Sequence, residues 1–404
     1  MISGGRFREI YYWDSYWVIQ GLLVCDMHDS AKQTLENLMY LTEQFGHTPN
    51  GNRLYYQNRS QPPLLTLMMD LIYQYEGSNV SFIKQHSEFL YILKQDYLWW
   101  MDQQSVTVKV ESQEEYTVNL YFVESNQPRP EGYVEDMALI DHLQDQSSAA
   151  RKKAFSAVRS GAEAGWDFSS RWCTLHFCAD DLSNIDTLNI VPVELNAYFY
   201  RIEQLLATYF ALIGDAENAG YFEDAQRRRY KVLTEFLWDE KEGIWRDWNL
   251  REHRFVDEVS SSNYFPLWVL PHDDVLAERV LVHLNASGLV REGGVATTMV
   301  DDGQQWDWPN AWPPIQYVIT EIARRYSGEL EIARWIERNV SQSFISAAYV
   351  GWGETGFMHE KYNVLHVGDS GKGGEYTPQT GFGWTNAVAF SFLYDYGEVL
   401  VAPQ

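Results

Sequence analysis

Cysteine is nearly missing from this chain of 404 residues: Cys25, Cys173 and Cys178 are the three present. They are too few and too irregularly spaced for a disulfide framework or a zinc site, and their odd number leaves one thiol unpaired. Cysteine usage therefore does not fix the compartment. Cations are scarce as well, with 31 Lys and Arg against 56 Asp and Glu and a formal net charge of −25. Such a field repels phosphate backbones and anionic lipid heads, so neither nucleic acid nor a membrane surface is an expected partner, whereas a neutral ligand is indifferent to it. No apolar run is long enough to span a bilayer. No apolar signal segment stands at the start, and residues 400–404 form no hydrophobic anchor tail. Histidine and cysteine spacings give no zinc pattern, and "GKGGEY" lacks the order of glycines, lysine and hydroxyl that cradles phosphate. "GGVATT" and "GWGETG" are glycine-rich turns without the strand and helix a dinucleotide site needs, and Asp301-Asp302-Gly303 reads as a turn.

What is abundant is apolar and aromatic: 45% and 15% of the chain, enough for a large core in one big domain or two ordinary ones. Helical periodicity dominates. Leu64, Leu67, Met68, Leu71, Ile72 and Tyr75 recur at spacings of three and four after Pro62-Pro63, a proline-marked helix start. Similar stripes run through Leu35, Leu38, Leu41 and Phe45, through Phe89, Leu93, Tyr97 and Trp100, through Leu195, Phe199, Ile202, Leu206 and Tyr209, and through Ile315, Ile319, Ile322 and Tyr326. About a dozen helices are expected. Strand signals are thin: "VTVKV" (106–110) with "TVNLYF" (117–122) predicts one hairpin, and "GIWRDW" with "HRFVDE" near 243–258 predicts another. No linker, low-complexity tract or close repeat divides the chain. The expectation is a mainly helical single domain.

The long connections are dense in Trp, Arg, Asp, Glu and Gly, and long loops in compact domains are more often functional than decorative. In "GWDFSSRW", Asp167 lies between two tryptophans. A carboxyl held against indole loses hydration and its pKa rises, as a general acid near neutral pH requires; a turn cap or an ion pair with Arg171 fits the same spacing. In "HEKYNV", Glu360 sits between His359 and Lys361, cations that would keep it ionised as a base toward water, and an exposed charged turn fits equally. Arg6, Arg8, Arg59, Arg129 and Arg171 stand in aromatic or amide-rich loops. Guanidinium forks there, with Asp14, Asn50, Gln61 and Glu131 as acceptors, suit vicinal hydroxyls, and Trp13 and Trp306 suit the C–H faces of a sugar ring. Taken singly, each arginine is equally a surface ion pair.

Read together, these loops resemble the trehalases, inverting α,α-trehalose hydrolases. "GGRFREIYYWDSYW" and "QWDWPNAWPP" are similar to the family's two signatures. "HTPNG", "RSQPP", "RPE", "AGWDFSSRW", "HEKY" and "KGGEYTPQTGFGWTN" match its other motifs in order over essentially the whole chain. The resemblance implies an all-α fold, an (α/α)6 toroidal barrel with minor β-hairpins in the loops, as a single catalytic domain over residues 1–404. It implies Asp167 as general acid and Glu360 as general base. Sugar contacts are implied for Arg6, Trp13, Asp14, Asn50, Arg59, Ser60, Gln61, Arg129, Glu131, Gly165 and Glu375, with Trp306 and Asp307 lining or supporting the pocket. Inversion requires room for water opposite the acid, hence carboxyls roughly 6.5–9.5 Å apart. Neither a metal nor an organic cofactor is implied, and the expected partner is the small neutral sugar.

The chain departs from the pattern at Ser3, where proline is usual, at Ala164, where serine is usual, and at Trp308, where tyrosine is common. It is also shorter than family members at its N-terminus, which leaves one flank of the barrel expected to be exposed. Sequons at Asn58, Asn79, Asn285 and Asn339 and the animal-like motifs lean toward a secreted or membrane-attached full-length form, with a cytoplasmic isoform as the alternative. Two other functions compete: a trehalose-binding isoform impaired in turnover, and a different inverting α-glucosidase on the same barrel. Oligomeric state is left open.

Overall fold

The amphipathic stripes that repeat along the chain need partners for their apolar faces, and they find them in one another. In the computed structural model, which describes residues 2–109, 114–174, 177–178 and 182–403, twelve helices of ten residues or more stand among the described residues. The expected stripes fall in His28–Phe45, Leu65–Tyr75, Ser87–Gln103, Val193–Ile213 and Pro313–Tyr326. Pro62-Pro63 precede the helix at Leu65 rather than opening it.

A ring of packed helices closes on itself. Asp14–Val24 packs on Leu65–Tyr75, and that helix on Val193–Ile213. Pro266–Val269, Pro313–Tyr326 and Gly383–Tyr396 follow in turn, and the last returns to Asp14–Val24. The closing contact is the tightest, because a Cβ at Gly21 would lie 2.7 Å from the backbone of Ala387, so only glycine lets the first and last helices approach so closely. A second layer lies outside: His28–Phe45 covers the first two ring helices, Ala216–Lys231 covers Val193–Ile213, and Glu331–Thr355 covers Pro313–Tyr326 and Gly383–Tyr396. The buried side chains form one continuous apolar cluster from Tyr12 to Phe392.

Strands are short and peripheral. The first expected hairpin forms from Ser105–Lys109 and Glu115–Asn119, antiparallel with Val106 opposite Val118; Val110, its expected last residue, lies outside the described residues. The second is divided differently from its expectation. Ile244–Trp245 pairs with Trp238–Asp239, and Trp248–Asn249 pairs with both Arg254–Phe255 and Ile190–Val191. Alternation identified strand character there but not the partner, which a tight turn at Gly243 (φ 76°) decides. Cys173 and Cys178 are joined in a disulfide and Cys25 is free and exposed. Among the described residues no helix is long and apolar enough to cross a membrane.

The opening stretch is tied to the far end of the chain. Ser3 O accepts from Gly383 N at 2.6 Å, Arg6 N donates to Gln379 Oε1 at 2.8 Å, and Phe7 packs edge-on against Tyr11, Tyr376 and Phe382. Gly4 (φ 117°) would place a Cβ 2.7 Å from Gly381 O, so the glycine pair lets the strand lie flat on the loop before the last helix. Residues at the N-termini of Asp14–Val24, Pro313–Tyr326 and Gly383–Tyr396, namely Trp13, Asp14, Trp312, Phe382 and Trp384, line one cavity, and those helix dipoles favour negative charge there.

Candidate active site

The loops that lead into those helix N-termini enclose a cavity of about 260 Å³. Of the residues expected at the site, Arg6, Trp13, Asp14, Asn50, Arg59, Gln61, Arg129, Glu131, Gly165, Asp167, Trp306, Glu360 and Glu375 line it. Two do not. The Ser60 side chain is buried and donates to Thr48 O, while its N–H goes to Glu163 Oε1 at 2.7 Å. Asp307 is also buried, its oxygens filled by Ser169, Ser170 and Thr298 donors at 2.5 to 2.9 Å. Both brace the loops behind the wall: Ser60, expected among the sugar contacts, does not reach the cavity, and Asp307 takes the supporting one of its two expected places.

The aromatic wall is built in depth. Trp306 stacks on Trp312 with centroids 4.0 Å apart and on Trp166 at 5.2 Å, and Trp13 leans on Trp306 at 5.7 Å. Gly165 (φ 73°) would bring a Cβ to 2.9 Å from the Trp13 ring, so the turn that aims Asp167 requires glycine. The Gln61 side chain accepts from Trp13 N at 3.2 Å, locking the first and second loops together.

Two of the cavity arginines, Arg59 and Arg129, are held by acids, while the Arg6 guanidinium lies 4.9 Å over the Tyr376 ring. Arg59 donates through Nε to Asn50 Oδ1 at 2.7 Å and pairs with Glu131. Arg129 is buried; its N–H and guanidinium donate to Asp136 at 2.6 to 3.2 Å, and its outer nitrogens reach Glu375 at 2.7 and 3.3 Å. Removing one partner of such a buried pair strands the other charge. Arg129→Met is therefore expected to lower the unfolding free energy by about 3–5 kcal/mol, read by urea denaturation; a loss below about 1 kcal/mol would contradict the pairing. Arg171 turns away from Asp167 to Asp247 (Nε to Oδ2, 2.6 Å) and Glu194, so the ion pair compatible with its spacing is not made. Arg8 is exposed and does not line the cavity.

The two central carboxyls sit in different settings. Asp167 keeps part of its surface open to the cavity; loss of hydration, with Glu375 nearby, pushes it up to about 7 against the pull of Arg129. Glu360 is buried, and both its oxygens accept: Oε1 from the Tyr376 hydroxyl at 2.8 Å and Oε2 from Gln379 N at 2.9 Å. Burial raises Glu360 overall, opposed by those bonds, Lys361 and Arg6. Here the expectation from "HEKY" is half met: Lys361 acts on Glu360, but burial depresses His359, which turns its surroundings toward the neutral ring. Asp14 is likewise pushed up to about 7, by burial and by Glu360.

The lining residues that the motifs alone did not single out are Phe7, Glu9, Tyr11, Tyr55, Tyr56, Glu135, Ala162, Trp312, Tyr376, Phe382 and Trp384. Phe7, Glu9, Tyr11, Trp312, Tyr376, Phe382 and Trp384 stand inside the quoted motifs, so the signal was their membership in a site-forming loop; Tyr55 and Tyr56 lie between two of them, and Glu135 and Ala162 lie in helices.

The family model for trehalase matches residues 1–397. The chain belongs to the trehalase family. It is 38% identical to human trehalase over 405 residues, covering 100% of this chain and 68% of that protein. Bombyx mori trehalase is 38% identical over 410 residues, with 100% and 69% covered, and a probable trehalase of Oryza sativa subsp. japonica is 37% identical, with 98% and 72% covered. Among solved structures, the neutral trehalase Nth1 from Saccharomyces cerevisiae superposes with a TM-score of 0.76 at 21% identity, covering 97% of this chain and 73% of that one. A mannosylglycerate hydrolase of family GH63 from Thermus thermophilus superposes with a TM-score of 0.62 at 16% identity, covering 96% and 94%. These two likenesses bear on the fold. As a trehalase, the chain is a glycoside hydrolase, and its substrate is α,α-trehalose.

Proposed function

We propose that this trehalase works by single inversion, with Asp167 as general acid and Glu360 as general base, in one (α/α)6 toroidal domain. The observation that carries the assignment is the difference in setting of two carboxyls facing one cavity: both Glu360 oxygens accept hydrogen bonds that oppose the upward push of its burial, while loss of hydration pushes Asp167 up to about 7. Asp167 gives its proton to the bridging oxygen as the bond from that oxygen to C1 breaks. Glu360 takes a proton from water as the water oxygen bonds C1 from the opposite face. The cleaved ring leaves as β-glucose and the departing ring as α-glucose. Arg59, Arg129, Asn50 and Gln61 orient hydroxyls, and the Trp13 and Trp306 faces accept the rings. The closed helix ring and its continuous core support the toroid and the single domain.

The experiment is proton NMR of products before mutarotation. Equal α- and β-anomeric signals are expected; α-glucose alone would mean retention and overturn the mechanism. The pH dependence follows from the same carboxyls. Since Asp167 must be protonated, kcat/KM is expected to fall about tenfold per pH unit above about 7. The acid limb belongs to Glu360 and lies above the ordinary carboxylate range. Initial rates from acid to alkaline pH give both limbs; a flat profile through pH 7 to 9 would remove Asp167 from the acid's place.

A further inference from the structure

Lys361 is fully buried beside the site, yet among the described residues its ammonium makes no ion pair with a carboxylate. Nζ donates to Gln305 Oε1 at 3.1 Å, Lys372 O at 3.1 Å and Gly373 O at 3.4 Å, and lies 4.9 Å over the Trp312 ring. Its stem is confined too: a Cβ on Gly371 would lie 2.8 Å from Lys361 Cγ, and Gly371 N donates to Lys361 O at 3.0 Å. The acceptors are informative. Lys372 and Gly373 belong to the glycine-rich loop that supplies Glu375 to Arg129 and Tyr376 and Gln379 to Glu360. Gln305 Nε2 donates onward to Asp167 O at 2.6 Å. A buried cation satisfied only by neutral oxygens is costly to keep; here it touches both halves of the catalytic pair through one residue or one loop.

We propose that Lys361 is the positioning residue of this site: its ammonium clasps the glycine-rich loop shut over Glu360 and holds Gln305 against the Asp167 backbone. The proposal rests on the acid and base assignment above. The charged and titratable groups facing this centre are Glu360, Asp167 and Tyr376, with Arg6 and Asp14 acting on Glu360 from the opening stretch and Glu375, Arg129 and Arg59 acting on Asp167. Burial pulls Lys361 down to about 7 while Glu360 and Asp167 draw it up, and Lys361 and Glu360 titrate as a pair.

The test compares Lys361→Met, which keeps length and removes charge, with Lys361→Arg, which keeps charge and changes shape. For Lys361→Met, both limbs of the kcat/KM profile are expected to move up by about one pH unit, because loss of a nearby cation raises both carboxyls. For Lys361→Arg, the limbs are expected to stay in place while KM rises about tenfold, since the loop bearing Glu375 no longer closes. Limbs that do not move in a folded Lys361→Met would overturn the proposal. Should Lys361→Met not fold, the arginine variant decides alone: limbs displaced with the charge retained, or a wild-type KM, would overturn it. Neither outcome touches the acid and base assignment, which fails separately if neutral replacements of Asp167 or Glu360 hydrolyse trehalose at the wild-type rate.

Discussion

Asp167→Asn is expected to lower kcat on trehalose about 10³- to 10⁴-fold while leaving the sugar's affinity within about threefold of wild type. The substitution is nearly isosteric, and the tie from Gln305 Nε2 ends on the main-chain oxygen of residue 167, which it leaves in place. Arg129 keeps Asp136 and Glu375, and the Trp166, Trp306 and Trp312 stack is untouched. What is lost is the proton for the bridging oxygen. Glucose is a poor leaving group as an alkoxide, so the deficit falls on bond cleavage rather than on binding, and the alkaline limb near pH 7 disappears with the group that set it. Stability separates this from misfolding. The folded-state pKa of Asp167 is raised, so its favourable contribution is full below the unfolded carboxyl value near 4 and is lost as pH rises through about 7. The asparagine variant is therefore expected to gain thermal stability relative to wild type between pH 5 and pH 8. Steady-state kinetics, calorimetric titration with trehalose and melting at the two pH values check all three. Hydrolysis within tenfold of wild type would give the acid's role to another residue.

How much of this site was legible in the sequence differs by residue, for physical reasons. Helix positions followed from apolar spacing because burial of one face is what forms a helix in a large core: the stripe at 195–209 falls inside an observed helix, and the stripe at 64–75 does so from its second residue, Leu67, with Leu64 just before the first turn. Asp167 and Glu360 were ambiguous one at a time, since capping, ion pairing and catalysis ask for the same residue types. Only the order of many loops together separated the readings. Ser60 and Asp307 mark the limit of that reasoning: they stand between site residues, but a loop turns alternate side chains inward and outward, and theirs go to Thr48 and to Ser169 and Thr298. Arg171 was drawn to Asp247 and Glu194, distant in sequence and invisible to spacing. Glu135 was missed because it sits in the helix Tyr133–His142, outside any site-like loop. The solitary setting of Lys361 could not be read at all, since sequence reports a neighbour's identity and not which atoms it offers.

Glu360→Gln is expected to reduce hydrolysis as severely as the asparagine change at the acid, by about 10³-fold or more, but to leave a different chemistry open. Glutamine can still accept from the Tyr376 hydroxyl or from Gln379 N with its carbonyl oxygen, so the loop stays near its place, while the amide cannot take a proton from water. Water then attacks without deprotonation and the inverted product does not form at a useful rate. Azide needs no base. It is already the nucleophile, and the substitution removes a negative charge that would repel it from a cavity whose other carboxyls include Asp14 and Glu375. Added azide is expected to bond C1 from the face opposite the bridging oxygen as that C–O bond breaks. Asp167 supplies the proton to the departing glucose, giving one β-glucosyl azide and one glucose for each trehalose consumed. The rescued rate should keep the alkaline limb near pH 7, because the acid still works, and lose the acid limb, because the base is gone. Recovery in Glu360→Gln but not in Asp167→Asn would separate the two carboxyls by role. An α-configured azide, or equal rescue of both variants, would place the nucleophile and the acid on the same side and rule out inversion across this cavity.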